Sequence, residues 1–364
     1  MNTKNKPGPF RVLCIDGGGM RGIYSAAYLD MLVSKYASIR KLDCLDLGKG
    51  FNLICGTSTG AILACGLAWG IGLDKVIQLY RSKGPGIFPE KVPGTFGGVV
   101  AQWYRRKKLN KRGAKALEEA LDAELKGATV RELWDKRGIG LAVPAVEMGR
   151  HRAWVFKTPH LTNSRDRDGG YTLTQVCLAS TAAPVFRSMA WLPNFDTKGA
   201  HVFVDGGLWA NNPVLVGLID ALELTSKGDE IEIFCLGTCP PPSGDIIASE
   251  ADTHRGFGEW RLGTDAAGVG ISAQQYAYDN MALMLGRHVD RKLRVIRFPK
   301  GDVAGTLLDH LSLDETRVES MDALVAQAQT DAYEALSVSG RADDENGKAI
   351  DTLFRSLPEK KKKG

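Results

Sequence analysis

The sequence predicts a three-layer α/β fold, a mainly parallel sheet with helices on both faces. Short apolar runs at Arg11 to Ile15 and Phe51 to Cys55 each end in a glycine-bearing turn. Each turn leads straight into helical sequence, Gly22 to Tyr36 after the first and from about Ala61 after the second. Strand, glycine turn and helix in repetition is the pattern of parallel strands joined by crossover helices. Further short apolar runs follow at Ile139 to Val146, Ala153 to Phe156, Val202 to Val204 and Ile231 to Leu236. A helix is expected over Leu173 to Ala182, ending before Pro184, and another is opened by Asn212-Pro213. Proline in the first helical turn forfeits no bond, because that N–H has no partner within the helix.

Between these elements, Pro85, Pro89 and Pro93 with several glycines mark a loop from Gly84 to Gly98. A basic run from Arg105 to Arg112 follows, beside Trp103 and Tyr104, and then an amphipathic helix from Ala114 to Leu125. After Pro240-Pro241-Pro242 the pattern weakens, although Leu313 to Leu336 reads as helical. The expected organisation is a catalytic α/β domain over 8–240, a helical and regulatory extension over 241–338 packed on it, and a polar flexible tail over 339–364 ending in Lys360 to Lys363.

Composition limits the function classes. The chain has 364 residues, 44% hydrophobic and 24% charged, which excludes a disordered or collagen-like protein and allows a core that needs neither disulfide nor structural metal. The net charge of +5 suits an anionic partner without singling out a nucleic-acid polymer. Seven cysteines, mostly within apolar runs and without zinc-site spacing, read as reduced, buried and cytosolic. The polar N-terminus has no signal-peptide pattern. Gly50 to Leu73 carries no charge and is long enough to span a bilayer, but a turn splits it, so a buried strand-turn-helix is expected.

Gly56-Thr57-Ser58-Thr59-Gly60 fits the G-x-S-x-G nucleophile elbow in its strand-turn-helix setting. Gly56 and Gly60 let the chain bend sharply enough to point the Ser58 hydroxyl outward, and the following helix aims its positive end at developing negative charge. A serine hydroxyl needs a base. The six histidines sit in unremarkable settings, whereas Asp205 ends an apolar strand and is held by Gly206-Gly207, a position that can partly desolvate a carboxylate. Turn capping is the alternative role for Asp205. The run Asp16-Gly17-Gly18-Gly19-Met20-Arg21-Gly22 supplies consecutive backbone N–H groups at a helix start, as an oxyanion hole requires. Gly17, Gly19 and Gly22 also match the dinucleotide fingerprint G-x-G-x-x-G, with Asp43 about 20 residues on, which keeps an oxidoreductase open. That alternative leaves the serine elbow and the Asp-Gly-Gly turn unexplained.

Taken together, the Asp16 to Gly22 loop, the Gly56 to Gly60 elbow and Asp205-Gly206-Gly207 resemble the patatin-like phospholipases. Ala179-Ser180-Thr181-Ala182-Ala183-Pro184 and the stretch Asp205 to Pro213 are similar to that family too, and the resemblance covers about Phe10 to Pro240. It implies a patatin-like α/β/α fold and hydrolysis of acyl esters in membrane glycerophospholipids without metal or cofactor. The catalytic pair would be Ser58 and Asp205, a dyad rather than a triad. Gly17, Gly18 and Gly19 would form the oxyanion hole, with Arg21 holding that loop or the substrate phosphate. A Ser-His-Asp variant would use His201. The sequence resembles the bacterial branch whose members are switched on by a cyclic dinucleotide in antiphage defence. That implies a cyclic dinucleotide ligand, assembly of copies on activation, and a cytoplasmic enzyme that docks peripherally on the membrane when active. The Trp103 to Arg112 run and the lysine tail are the candidate membrane contacts. An unregulated lipase and a non-catalytic binding module are the remaining readings.

Overall fold

The computed structural model describes residues 8–90, 96–239, 247–256, 260, 264–299, 303, 305–341 and 343–360. In chain order the strands and α-helices are β1 (Phe10–Ile15), α1 (Gly22–Ile39), β2 (Leu53–Gly56), α2 (Thr59–Trp69), α3 (Leu73–Ile87), α4 (Phe96–Leu125), α5 (Val130–Arg137), β3 (Gly140–Glu147), β4 (Arg152–Lys157) and α6 (Leu173–Ser180). They continue with β5 (Ala190–Pro193), β6 (Ala200–Asp205), α7 (Gly207–Ala210), α8 (Val214–Leu224), β7 (Glu230–Leu236), α9 (Thr264–Gly286), β8 (Lys292–Phe298), α10 (Val318–Ser339) and α11 (Glu345–Ser356).

The strands form one sheet in the order β5-β6-β3-β2-β1-β7-β8, with β4 added alongside β3. The β2-β1-β7-β8 half and the β2-β3 pair are parallel, while β4 and β6 run antiparallel to β3, and β5 antiparallel to β6. Strand alternation divides the core in two, because successive side chains point to opposite faces. Leu13, Ile15, Ile54, Phe234 and Leu236 pack under α1, α2, α10 and α11. Val12, Cys14, Leu53, Cys55, Ile231 and Ile233 meet Val214 and Leu218 of α8 and Ala282 of α9 on the other face. These are the three layers expected.

β3 sets the geometry of the site. Its first residues, Gly140 to Ala142, pair with β2, and its last, Ala145 to Glu147, pair with β6. β6 therefore takes over where β2 ends. Cys55 lies opposite Ala142 and Asp205 opposite Ala145, so the end of β2 and the end of β6 converge.

Three expectations change. The loop expected from Gly84 is helical to Ile87, with Pro85 in the last turns of α3, and α4 already begins at Phe96; residues 91–95 lie outside the described residues. The extension after 240 is not helical alone, because β8 joins the sheet in parallel register with β7, Ile231 opposite Leu293 and Leu236 opposite Phe298. Charges along Lys292-Leu293-Arg294-Val295-Ile296-Arg297 hide it in the sequence: Lys292 at its start is exposed, while Ile296 and Phe298 are buried. The tail over 339–364 also contains structure. Asp344 caps α11 by accepting the N–H groups of Asn346 and Gly347, and α11 buries Ile350, Leu353 and Phe354 on one side. Lys361 to Lys363 lie outside the described residues.

Among the described residues no helix is long and apolar enough to cross a membrane. The uncharged stretch from Gly50 holds β2 and α2, both buried in the core. Cys14, Cys55, Cys65, Cys177, Cys235 and Cys239 are buried free thiols, and Cys44 is exposed.

α11 is an integral part of the core, and this can be measured. Phe354 is fully buried with its ring 5.1 Å from that of Tyr36, whose hydroxyl donates to Asp351 at 2.9 Å. Phe354→Ala is predicted to cost about 3–5 kcal/mol in urea unfolding, the usual range for emptying a buried aromatic site. A change below about 1 kcal/mol would show α11 to be dispensable.

Candidate active site

Ser58 stands at the junction of β2 and α2 with φ +54° and ψ −122°, a conformation that costs a non-glycine residue energy and is kept only when its surroundings hold it. The surroundings do so from three sides. The Ser58 N–H donates to the Ser180 hydroxyl at 2.9 Å, and that hydroxyl donates to the Pro144 carbonyl at 2.7 Å. The Thr57 N–H donates to the Ile15 carbonyl at 3.1 Å, and its hydroxyl to the Ala210 carbonyl at 2.6 Å. The turn is too tight for side chains: a Cβ on Gly60 would strike the Ile15 and Asp16 carbonyls, and one on Gly56 would strike Gly60.

The Ser58 hydroxyl donates to Asp205 Oδ2 at 2.7 Å. Asp205 Oδ1 accepts the Gly207 N–H at 2.7 Å, which fixes the carboxylate plane at the end of β6. Asp205 is buried, and burial pushes its carboxyl up to about 6, against the lowering effects of the Ser58 hydroxyl, the Gly207 N–H and the Arg187 guanidinium. A carboxylate of this basicity is ionised at neutral pH and still able to take a proton.

The glycine loop lies beside this pair. Its first donor is spent: the Gly17 N–H bonds the Asn211 carbonyl at 2.9 Å. Gly17, expected among the oxyanion donors, therefore packs the loop against Asn211 instead, and the N–H groups of Gly18 and Gly19 have no partner among the described residues. Gly19 has φ +57°, and a Cβ there would strike the Leu313 backbone. Arg21 holds the loop rather than projecting free, with Nε donating to the Gly18 carbonyl at 3.3 Å. Gly22 brings the start of α1 against Thr59 and Tyr80, which themselves hydrogen-bond to each other.

A cavity of 350 Å³ opens over Ser58 and Asp205. Ile62, Leu79, Ile87, Phe88 and Leu117 make its wall apolar. No histidine is among its lining residues. His201, the candidate triad member, faces Glu147 at 3.8 Å and packs on Trp154. His160 bonds Thr158 and Asp220, and His310 bonds Ser320. Asp43 lies in a bend, not at the end of a second strand as a ribose-binding carboxylate would. Among the described residues no group of three or more His, Cys, Asp or Glu side chains is placed to hold a metal.

Several site residues escaped sequence reasoning. Arg187, 7% exposed, lines the cavity, and its Nη1 has no hydrogen-bond partner among the described residues. Burial lowers its pKa to about 10, while Asp205 acts to raise it. Arg297 of β8 bonds Asp16 at 2.7 Å and pairs with Asp279, and the Met20 N–H bonds the Leu313 carbonyl at 2.8 Å. Arg106 and Asn110 of the basic run donate to the Val185 carbonyl at 3.2 Å each, tying α4 to the cavity rim; the side chains of Trp103 and Tyr104 lie outside the described residues. Ser180 had a signal in the Ala179 to Pro184 motif, and Arg106 and Asn110 in the basic run, but Arg187, Arg297 and Leu313 had none.

A serine hydroxyl bonded to a buried carboxylate beneath an apolar cavity is an arrangement able to support ester hydrolysis. The sequence profile of the patatin-like phospholipases matches residues 13–218, and the chain belongs to that family. It is 33% identical to the cGAMP-activated phospholipase of Pseudomonas aeruginosa over 275 residues, 75% of this chain and 74% of that one. It is 28% identical to the cGAMP-activated phospholipase of Vibrio cholerae, across 75% and 76% of the two chains. The cUMP-AMP-activated phospholipase of Escherichia coli is 29% identical across 65% of this chain and 68% of its own. The protein is a hydrolase of lipid esters.

The electrostatics predict a pH profile. Activity toward a soluble ester falls as pH drops through about 6, where Asp205 takes up a proton. Arg187→Met removes a lowering influence on Asp205, so the acid limb of kcat/KM moves to higher pH. A limb that stays in place or moves lower would separate Arg187 from the base.

Proposed function

We propose that the protein cleaves acyl esters of membrane glycerophospholipids with a Ser58–Asp205 dyad and is switched on by a cyclic dinucleotide in bacterial antiphage defence. The 2.7 Å contact between Ser58 Oγ and Asp205 at the floor of an apolar cavity carries the catalytic reading.

Asp205 accepts the Ser58 proton as Oγ attacks the ester carbonyl carbon. The carbonyl oxygen becomes an oxyanion against the Gly18 and Gly19 N–H groups and the positive end of α2. A single such donor is worth about 3–4 kcal/mol to the transition state. The intermediate collapses, the C–O bond to the lysolipid breaks, and protonated Asp205 returns its proton to that oxygen. Water then attacks the acyl-Ser58 ester with Asp205 again taking the proton, and release of the fatty acid restores the Ser58 hydroxyl. The apolar wall suits an acyl chain.

The surface supports membrane docking. Val185 and Leu208 line the cavity and are 54% and 48% exposed, so the rim itself is apolar. Val269, Met281 and Met284 on α9 add exposed apolar side chains. Arg105, Lys107 and Lys108 on α4 are exposed, each worth about 1 kcal/mol near an anionic leaflet. Activation by a cyclic dinucleotide is supported by the three relatives, which are named for it.

The test is hydrolysis of a fluorogenic phospholipid in vesicles, alone and with cGAMP or cUMP-AMP. Nucleotide-dependent hydrolysis is expected, reduced by about 10³-fold or more in Ser58→Ala and in Asp205→Asn while their urea transitions match wild type. Turnover retained in folded Ser58→Ala would overturn the dyad. Equal rates with and without every nucleotide would leave a lipase and remove the switch.

A further inference from the structure

A second cavity of 990 Å³ lies away from the catalytic one, within the size range of small-molecule sites. It is formed by the α2–α3 loop, the end of α5 and the C-terminal residues Pro358 to Lys360. Lys49, Lys75, Lys126, Lys136, Arg137 and Lys360 line it, against the carboxylates Asp46, Glu124 and Glu359. The surplus is three positive charges. Arg137 is part of the wall, because it is held by Asp46 at 2.8 and 2.9 Å and by the Ala68 carbonyl. Lys75 and Lys136 are in exposed pairs with Glu124 and Glu132, which hold weakly and can exchange for a stronger anion. The ammonium groups of Lys126 and Lys360 have no partner among the described residues. Trp69 adds an aromatic platform, with Lys136 Nζ 5.3 Å from its ring centre. Lys126 and Lys360 line the same cavity as this indole, and cations together with an aromatic ring are the chemistry that recognises phosphates and a stacked nucleobase.

The cavity also has a mechanical connection to catalysis. α2 begins immediately after Ser58 and ends at Trp69. α3 starts at Leu73 on the cavity edge and carries Tyr80, which bonds Thr59 in the first turn of α2, and Ile87, which lines the catalytic cavity. A ligand that draws the α2–α3 loop toward it acts on both helices that bound the nucleophile.

We propose that this cavity binds the activating cyclic dinucleotide, its two phosphates on Lys126 and Lys360 and one base on Trp69. The assignment rests on the activation reading given above. The α2 and α3 helices carry the signal, since among the described residues none lines both cavities.

The experiment titrates the full-length protein with cGAMP and cUMP-AMP, reading binding by calorimetry and activation by vesicle hydrolysis. For the double variant Lys126→Glu, Lys360→Glu, and separately for Trp69→Ala, the concentration giving half-activation is expected to rise at least tenfold. The rate at saturation and the urea transition are expected to match wild type, and Trp69→Phe restores tight binding. Wild-type binding and half-activation in the folded double variant would overturn the site while leaving activation standing. ATP binding as tightly as the cyclic nucleotides would overturn the specificity claimed for it. Wild-type protein that neither binds nor responds to either nucleotide would remove the activation reading, and this site with it.

Discussion

The hydrogen bond from Ser58 to Asp205 depends on where two strands stop. Because β2 pairs with the first residues of β3 and β6 with the last, the nucleophile turn and the end of β6 arrive at one point. That placement buries Asp205, and burial raises its basicity to a useful level. The proposed dyad needs no histidine relay: a carboxylate near 6 can take the serine proton directly and give it back to the leaving group. The strained backbone at Ser58 belongs to the same arrangement, since Ser180, Thr57 and two glycines hold the turn that aims the hydroxyl.

The C-terminal third completes this site. Arg297 on β8 links Asp16, at the head of the glycine loop, to Asp279 on α9. Asp16 is pushed up to about 6 by burial, and Arg297 acts against that. The Leu313 carbonyl holds Met20, and Gln274 of α9 accepts the Asn211 N–H at 3.0 Å and donates to the Leu208 carbonyl at 3.3 Å. The proposed oxyanion donors, Gly18 and Gly19, therefore sit on a loop whose position is set partly by residues after 260.

Much of this was legible in the sequence because short-range chemistry dictates it. The glycine pattern around Ser58 reflects a turn in which Cβ atoms collide, and Asp205-Gly206-Gly207 marks a strand end where a backbone N–H can orient a carboxylate. β2, β3 and the buried ends of β1 and β7 were readable because both faces are covered and their apolar runs are continuous. β8 was not, because Lys292, Arg294 and Arg297 interrupt a strand that is only partly buried, and Arg294 and Arg297 reach Glu232 and Asp16. Arg187 and Arg297 were equally hidden: a lone arginine in sequence gives no sign that it will be buried beside a carboxylate more than a dozen residues away. The spent N–H of Gly17 depends on Asn211, a contact that only the folded chain makes.

The most direct measurement of the central claim is covalent trapping. A lipid fluorophosphonate should form one adduct, located by mass spectrometry on Ser58, at a rate that rises with pH through about 6 and collapses in Asp205→Asn. An adduct on another residue, or equally fast labelling of Ser58 in Asp205→Asn, would contradict a nucleophile activated by Asp205.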